Sequence, residues 1–288
     1  MFKFFANLFG YLLNAIYGFI GNYGITIIIF TVLVKLAMLP FSVKQQKTMK
    51  KTTEIQMKAK EIQEKYSNDQ VRQSQELMDL YKRENMSPFA GCFSSILQII
   101  LILSVFYLVS SPLTYMKKVD QSVITSYVKE IEESKSEKLS YPEIAVIKEM
   151  GAKDEKVNLN MDFFGLDLSD IPSKDYEDWK VFIIPVLYVV TSLISMKLTM
   201  PATPTVEAED KNKTKEENNN ENNNNQDVDM MQEMNGQMRI MMPIMTVMIA
   251  CIAPLGLALY WLVSNLLTLV ERLFIKRFFK EEDEEVNG

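Results

Sequence analysis

Histidine is absent from all 288 residues. That removes imidazole both from proton transfer near neutral pH and from metal ligation. Cysteine is nearly absent, with Cys92 and Cys251 the two in the chain. They lie far apart, each in or beside an apolar run, and provide neither a C-x-x-C spacing nor a disulfide framework. No G-x-x-x-x-G-K-[ST] or G-x-G-x-x-G loop is present to cradle phosphates. No G-x-S-x-G turn presents a nucleophilic serine. These absences predict a protein that is not an enzyme and that carries no metal and no cofactor.

Apolar residues are plentiful, at 48%, and they come in blocks. Residues 23–43, 89–110, 179–198 and 240–275 are nearly unbroken apolar runs. A membrane-crossing helix needs about 20 such residues. The mean hydropathy of −0.02 therefore averages greasy runs with very polar connections. The expected fold is an all-α polytopic membrane protein, a five-span helical bundle with a cytoplasmic two-helix hairpin and an N-terminal interfacial helix.

Residues 1–21 are apolar, with Asn7, Gly10, Asn14 and Gly18 recurring as a narrow polar stripe. This suits a helix lying in the membrane interface, with a true span or a cleaved signal as alternatives. Span 1 follows at 22–43. Residues 44–88 then hold ten basic and seven acidic side chains. Apolar residues at helical spacing (Ile55, Ala59, Ile62, Tyr66, then Leu77, Leu80, Tyr81) predict a helical hairpin turning at 67–69, with Asp69 as N-cap. Span 2 covers 89–110 and leads into 111–178, which carries nine Lys against fifteen Asp or Glu. A basic short loop and an acidic long one place 44–88 in the cytoplasm and 111–178 outside. Span 3 covers 179–198. Residues 199–238, low in complexity and Asn- and Glu-rich, read as a disordered cytoplasmic linker. Ala253-Pro254-Leu255-Gly256 divides the last run into span 4 (239–253) and span 5 (257–275), leaving a cytoplasmic tail at 276–288.

Lys35 stands out, 12 positions after Tyr23 in the first run. A lysine there costs about 2.5–3.5 kcal/mol on insertion scales. It either snorkels to the headgroups or faces a water-filled pocket reached from the cytoplasm. No acidic partner is expected for it within a span, and an unpaired cation in a wet pocket suits transient attraction of acidic groups. Thr31 lies one turn before it, on the same face. Ser94, Ser95, Gln98, Tyr188 and Asn265 are further pocket candidates. Gln98 and Asn265 equally suit structural hydrogen bonds between helices, because an amide in lipid needs partners. Met234, Met238, Met241, Met242, Met245 and Met248 recur at helical spacing. They fit ordinary packing or a soft surface that re-packs against varied apolar partners. The mixed charge of 44–88 predicts no specific nucleic-acid site.

Three stretches, in this order and with these separations, resemble the YidC/Oxa/Alb membrane protein insertases: IIIFTVLVKLAMLPFSVKQ, SQELMDLYKRENMSPFAGCF…LQ and PLGLALYWLVSN. The likeness covers roughly 20–110 and 160–275, and FFGLDL at 163–168 resembles the segment found there in bacterial members. The resemblance implies a hydrophilic groove in the cytoplasmic leaflet, closed outside and open to cytoplasm and lipid. Lys35 then takes the place of the groove's positive charge, which is arginine in most bacterial members. Lysine keeps the charge and loses the bidentate fork. Thr31, Ser94, Gln98, Tyr260, Trp261 and Asn265 are implied as groove residues, and Met238, Met242 and Met245 as client-contact surface. The prolines usual near GCF and after the glutamine are here Ser94 and Ile100, which implies a straighter second helix.

The implied activity is insertion and folding of integral membrane proteins, with nascent membrane proteins and lipid as partners alongside ribosome and Sec translocon. Work independent of Sec is included. The implied site is a bacterial cytoplasmic membrane, in a short form without the large periplasmic domain of Gram-negative members. Two other classes share these features. A small transporter or channel would also place a charge in a span, although no inverted repeat is visible. A translocon-dependent assembly chaperone would use the same surfaces without inserting anything itself.

Overall fold

The computed structural model describes residues 2–67, 69–84, 90–199 and 245–287. Helix α1 (Phe2–Ile20) ends at Gly21, whose φ of 67° is the left-handed value that favours glycine at a helix terminus. Asn22 then starts α2 (Tyr23–Lys65): its Oδ1 accepts from the Ile25 amide at 3.1 Å, and its Nδ2 donates to the Asp162 carbonyl at 2.6 Å.

Helix α2 runs unbroken for 43 residues, so the first arm of the hairpin is the same helix as the first span. Its distal half is rich in Lys, Gln, Glu and Met, all strong helix formers. Pro40 lies inside the helix, where it removes one backbone bond without ending it. The second arm, α3 (Gln70–Arg83), starts where the spacing predicts, with Asp69 Oδ1 accepting from the Arg72 amide at 3.0 Å. It folds back so that Ile55, Ala59 and Leu80 bury a small core, edged by Ile62, Leu77 and Tyr81.

Next come α4 (Ala90–Ser110), a π-turn (Leu113–Lys117), α5 (Gln121–Lys135) and α6 (Pro142–Met150). A two-stranded antiparallel hairpin, β1 (Asp162–Phe163) with β2 (Leu166–Asp167), leads through the turn Trp179–Phe182 into α7 (Ile183–Thr199). Residues 245–252 are helical (α8), and α9 (Leu255–Asn287) ends the chain. Among the described residues, α2, Trp179–Met196 and Leu255–Ile275 are long and apolar enough to cross a membrane, while Ile99–Ser110 of α4 is a shorter apolar stretch. The expected linker at 199–238 and the start of the expected fourth span at 239–244 lie outside the described residues, apart from Thr199.

Residues 111–178, read from sequence as one acidic loop, form a folded unit. Ile124 and Ile131 of α5 pack with Ile144, Val146, Ile147 and Met150 of α6 in a core continuous with the helices below. Lys148 reaches Asp170 at 2.7 Å and Asp175 at 2.9 Å. Burial pulls its pKa down, but those two hydrogen bonds outweigh it and leave the ammonium above its usual value. Glu143 is buried and accepts from the Thr114 amide at 2.9 Å and the Thr114 hydroxyl at 2.6 Å. Burial wins there and pushes its carboxyl above the ordinary carboxylate range.

This unit caps one end of the helix group. The amides of Tyr23, Leu255 and Gly256 donate to the carbonyls of Asn160, Asp170 and Leu168, each at 2.9 Å. The amides that begin a helix have no partner within it, and the loop supplies carbonyls for them. Leu168 is fully buried between Gly24 and Gly256, and a β-carbon on Gly24 would run into the Phe163 ring.

Helix α1 packs against α4, the π-turn and α2 through Ala6, Gly10 and Leu13. Gly10 therefore belongs to the packed face and not to the exposed stripe, where its lack of a side chain lets the Tyr115 carbonyl come close. Asn7 does lie outward, and there it accepts from Lys118 Nζ at 2.6 Å, with the ammonium 4.6 Å from the Tyr11 ring.

Candidate functional site

Helix α9 packs against α2, α7 and α4, so its polar side chains meet those of its neighbours. Thr268 and Glu271 are three apart and so neighbours on one face. Lys35 of α2 meets that face about 18 Å along the helix from Tyr23, at 1.5 Å per residue. Its ammonium donates to Thr268 Oγ1 at 2.8 Å and stands 3.9 Å from Glu271 Oε2. Thr268 in turn donates to the Ser264 carbonyl at 2.7 Å, so its hydroxyl is held in place to accept from Lys35.

The expectation of an unpaired Lys35 is thereby corrected. Glu271 lies inside the last apolar run and is its partner. The rule that singled out Lys35, a charge within an apolar run, applies equally to Glu271, and their pairing across 236 positions has no local signature. The pair is unevenly enclosed: the Lys35 side chain is 29% exposed and that of Glu271 is 9%. Glu271 Oε1 is buried and, among the described residues, has no hydrogen-bond partner.

The other expected site residues separate into groups. Thr31 is buried, and its hydroxyl donates to the Ile27 carbonyl at 2.6 Å, within its own helix. Asn265 ties α9 to α7, accepting from Ser195 Oγ at 2.8 Å and donating to Thr191 Oγ1 at 3.3 Å. Of its two sequence readings, these contacts match the structural one. Trp261 is half-buried, its ring 5.8 Å from that of Tyr188. The Tyr260 hydroxyl meets that of Ser264. Met245 is 54% exposed on α8. The side chains of Ser94 and Gln98, and Met238 and Met242 entirely, lie outside the described residues. Among the described residues, no group of three His, Cys, Asp or Glu could hold a metal ion.

Among the described residues, no nucleophile is paired with a base at this site. It offers one cation within reach of the surroundings and one enclosed carboxylate, set in apolar helices.

Comparison with known proteins gives a match to the family described as 60Kd inner membrane protein over residues 15–283. Curated relatives named "Membrane protein insertase YidC" are similar throughout. That of Rickettsia felis is 26% identical over 269 residues, and that of Rickettsia prowazekii 25% over 268. Each alignment covers 93% of this chain and 38% of the relative, so the chain spans well under half the length of these relatives.

Proposed function

The chain belongs to the 60Kd inner membrane protein family, and from that premise we propose that it is a membrane protein insertase of a bacterial cytoplasmic membrane. The observation that carries the reading is Lys35, a partly exposed cation held by hydrogen bonding among apolar helices. The relatives' name supports the same activity.

In this reading α4 and α8 complete a five-span bundle with α2, α7 and α9. The α2–α3 hairpin and the C-terminus lie in the cytoplasm, and α1 lies in the interface. The capped end then faces outward, and a hydrophilic groove opens to cytoplasm and lipid around Lys35. Tyr260, Trp261 and Met245 form the apolar surface along which a client slides. A client's polar segment enters from the cytoplasm and exchanges bulk water for Lys35 and its neighbours, which lowers the desolvation barrier of the hydrocarbon. Its apolar segment moves into lipid, driven by hydrophobic transfer. The hairpin receives the ribosome or the Sec translocon.

The test is purified protein alone in liposomes, given a newly translated single-span client with an acidic N-terminal tail. The tail becomes protease-protected, and Lys35→Ala lowers protection about fivefold, equivalent to ~1 kcal/mol for a partly screened charge pair. Client binding without a protected tail, from active and correctly oriented protein, replaces insertion with translocon-dependent assembly.

A further inference from the structure

Glu271 forms an ion pair with Lys35, yet the two are only loosely joined. At 3.9 Å they form an ion pair without a hydrogen bond, since a charge-assisted N–H···O bond is about 2.7–2.9 Å. The short bond from Lys35 goes to Thr268 instead. An ammonium has three N–H donors, so Lys35 keeps capacity for another acceptor. The opposite deficit sits on Glu271, whose Oε1 is buried without a donor among the described residues. A buried carboxylate oxygen left unpaired is costly. Arg272, next along α9, adds positive charge near both groups.

We propose that Glu271 is a specificity-determining residue of the site: it competes with acidic client groups for Lys35, and Oε1 accepts from donor-bearing client groups, the ammonium, guanidinium or amide of a basic or neutral polar tail. This rests on the insertase reading. An acidic tail must draw Lys35 away from Glu271, whereas a basic tail satisfies the orphan oxygen and leaves the internal pair standing. The site thus accepts both signs of charge, and the balance between them is set by Glu271. Removing its charge while keeping its shape shifts preference toward acidic tails. Removing Lys35 shifts it the other way.

The experiment measures two fluorescent peptides, an acidic tail and its basic counterpart, binding to detergent-purified full-length protein, and in parallel the insertion of clients bearing those tails in liposomes. The quantity read is the acidic-to-basic ratio within one preparation, in which partial loss of active protein cancels. Glu271→Gln raises that ratio about two- to fivefold, the range for a partly screened ion pair, and Lys35→Gln lowers it. Should Glu271→Gln fail to fold, Lys35→Gln/Glu271→Gln, which leaves no lone charge, is compared with Lys35→Gln and gives a smaller upward shift, because only the carboxylate's pull on basic tails is then removed. An unchanged binding ratio overturns the proposal. If wild-type vesicles insert neither client while the binding ratio still moves with Glu271, the insertase reading fails and the role of Glu271 stands.

Discussion

Replacing Gly10 with alanine measures how tightly α1 is docked, and Gly18 on the same helix is its built-in control. A β-carbon on Gly10 would run into the main-chain carbonyl of Tyr115, whereas one on Gly18 meets nothing within 4 Å. Both substitutions remove the conformational penalty of a helical glycine, roughly 0.5–1 kcal/mol in favour of alanine. That gain cancels between them. What remains is the overpacking at Gly10, typically about 1–3 kcal/mol. The obstacle is backbone in a π-turn, which cannot rotate aside like a side chain, so the upper half of that range is expected. Gly18→Ala stabilises slightly, and Gly10→Ala destabilises. The assay is denaturant unfolding of both variants in the same lipid nanodiscs, followed by tryptophan fluorescence and by protease access to α1. Equal shifts for the two would refute the packing of α1 on the π-turn.

Two further outcomes follow from the polar contacts. Asn265→Leu deletes two hydrogen bonds between α7 and α9; at an average of ~0.6 kcal/mol each within membranes it costs about 1 kcal/mol of stability. Unchanged unfolding, with client cross-linking lost, would instead mark Asn265 as pocket lining. Burial raises the pKa of Glu143 in the folded state. Its contribution to stability is therefore fully present below the unfolded value of about 4.3 and declines as pH rises through the folded one. Wild type thus loses stability relative to Glu143→Gln between acidic and neutral pH, and thermal curves that stay parallel across that range would contradict the assignment.

The sequence made legible whatever depends on near neighbours. The cap at Asp69, the α2–α3 contact through Ile55, Ala59 and Leu80, and the break at Ala253–Pro254 are written in spacings of a few residues. Lys35 was legible because a charge in an apolar run is conspicuous alone. Its partner Glu271 was equally conspicuous by type, yet the pairing joins opposite ends of the chain. The folded unit at 111–178 escaped for the same reason. Its apolar residues are sparse along the chain, and the bonds of Lys148 to Asp170 and of Leu255 to Asp170 cross elements that no periodicity connects. Continuity of α2 past residue 43 was not read because composition changes sharply there while backbone preference does not.

That continuity has a mechanical consequence. Lys35 and the tip of the α2–α3 hairpin sit on one rod, with about 45 Å of helix between Lys35 and Lys65 at 1.5 Å per residue. Proline leaves one rung of the ladder open, so Pro40 is the softest joint on that rod. From there to Lys65 the arm is roughly 37 Å long, and a bend of about 5° at the joint swings its end by about 3 Å. The rod works as a lever with a short inner arm and a long outer one. Movements too small to disturb the packing around Lys35 become, at the hairpin, displacements the size of a side-chain contact.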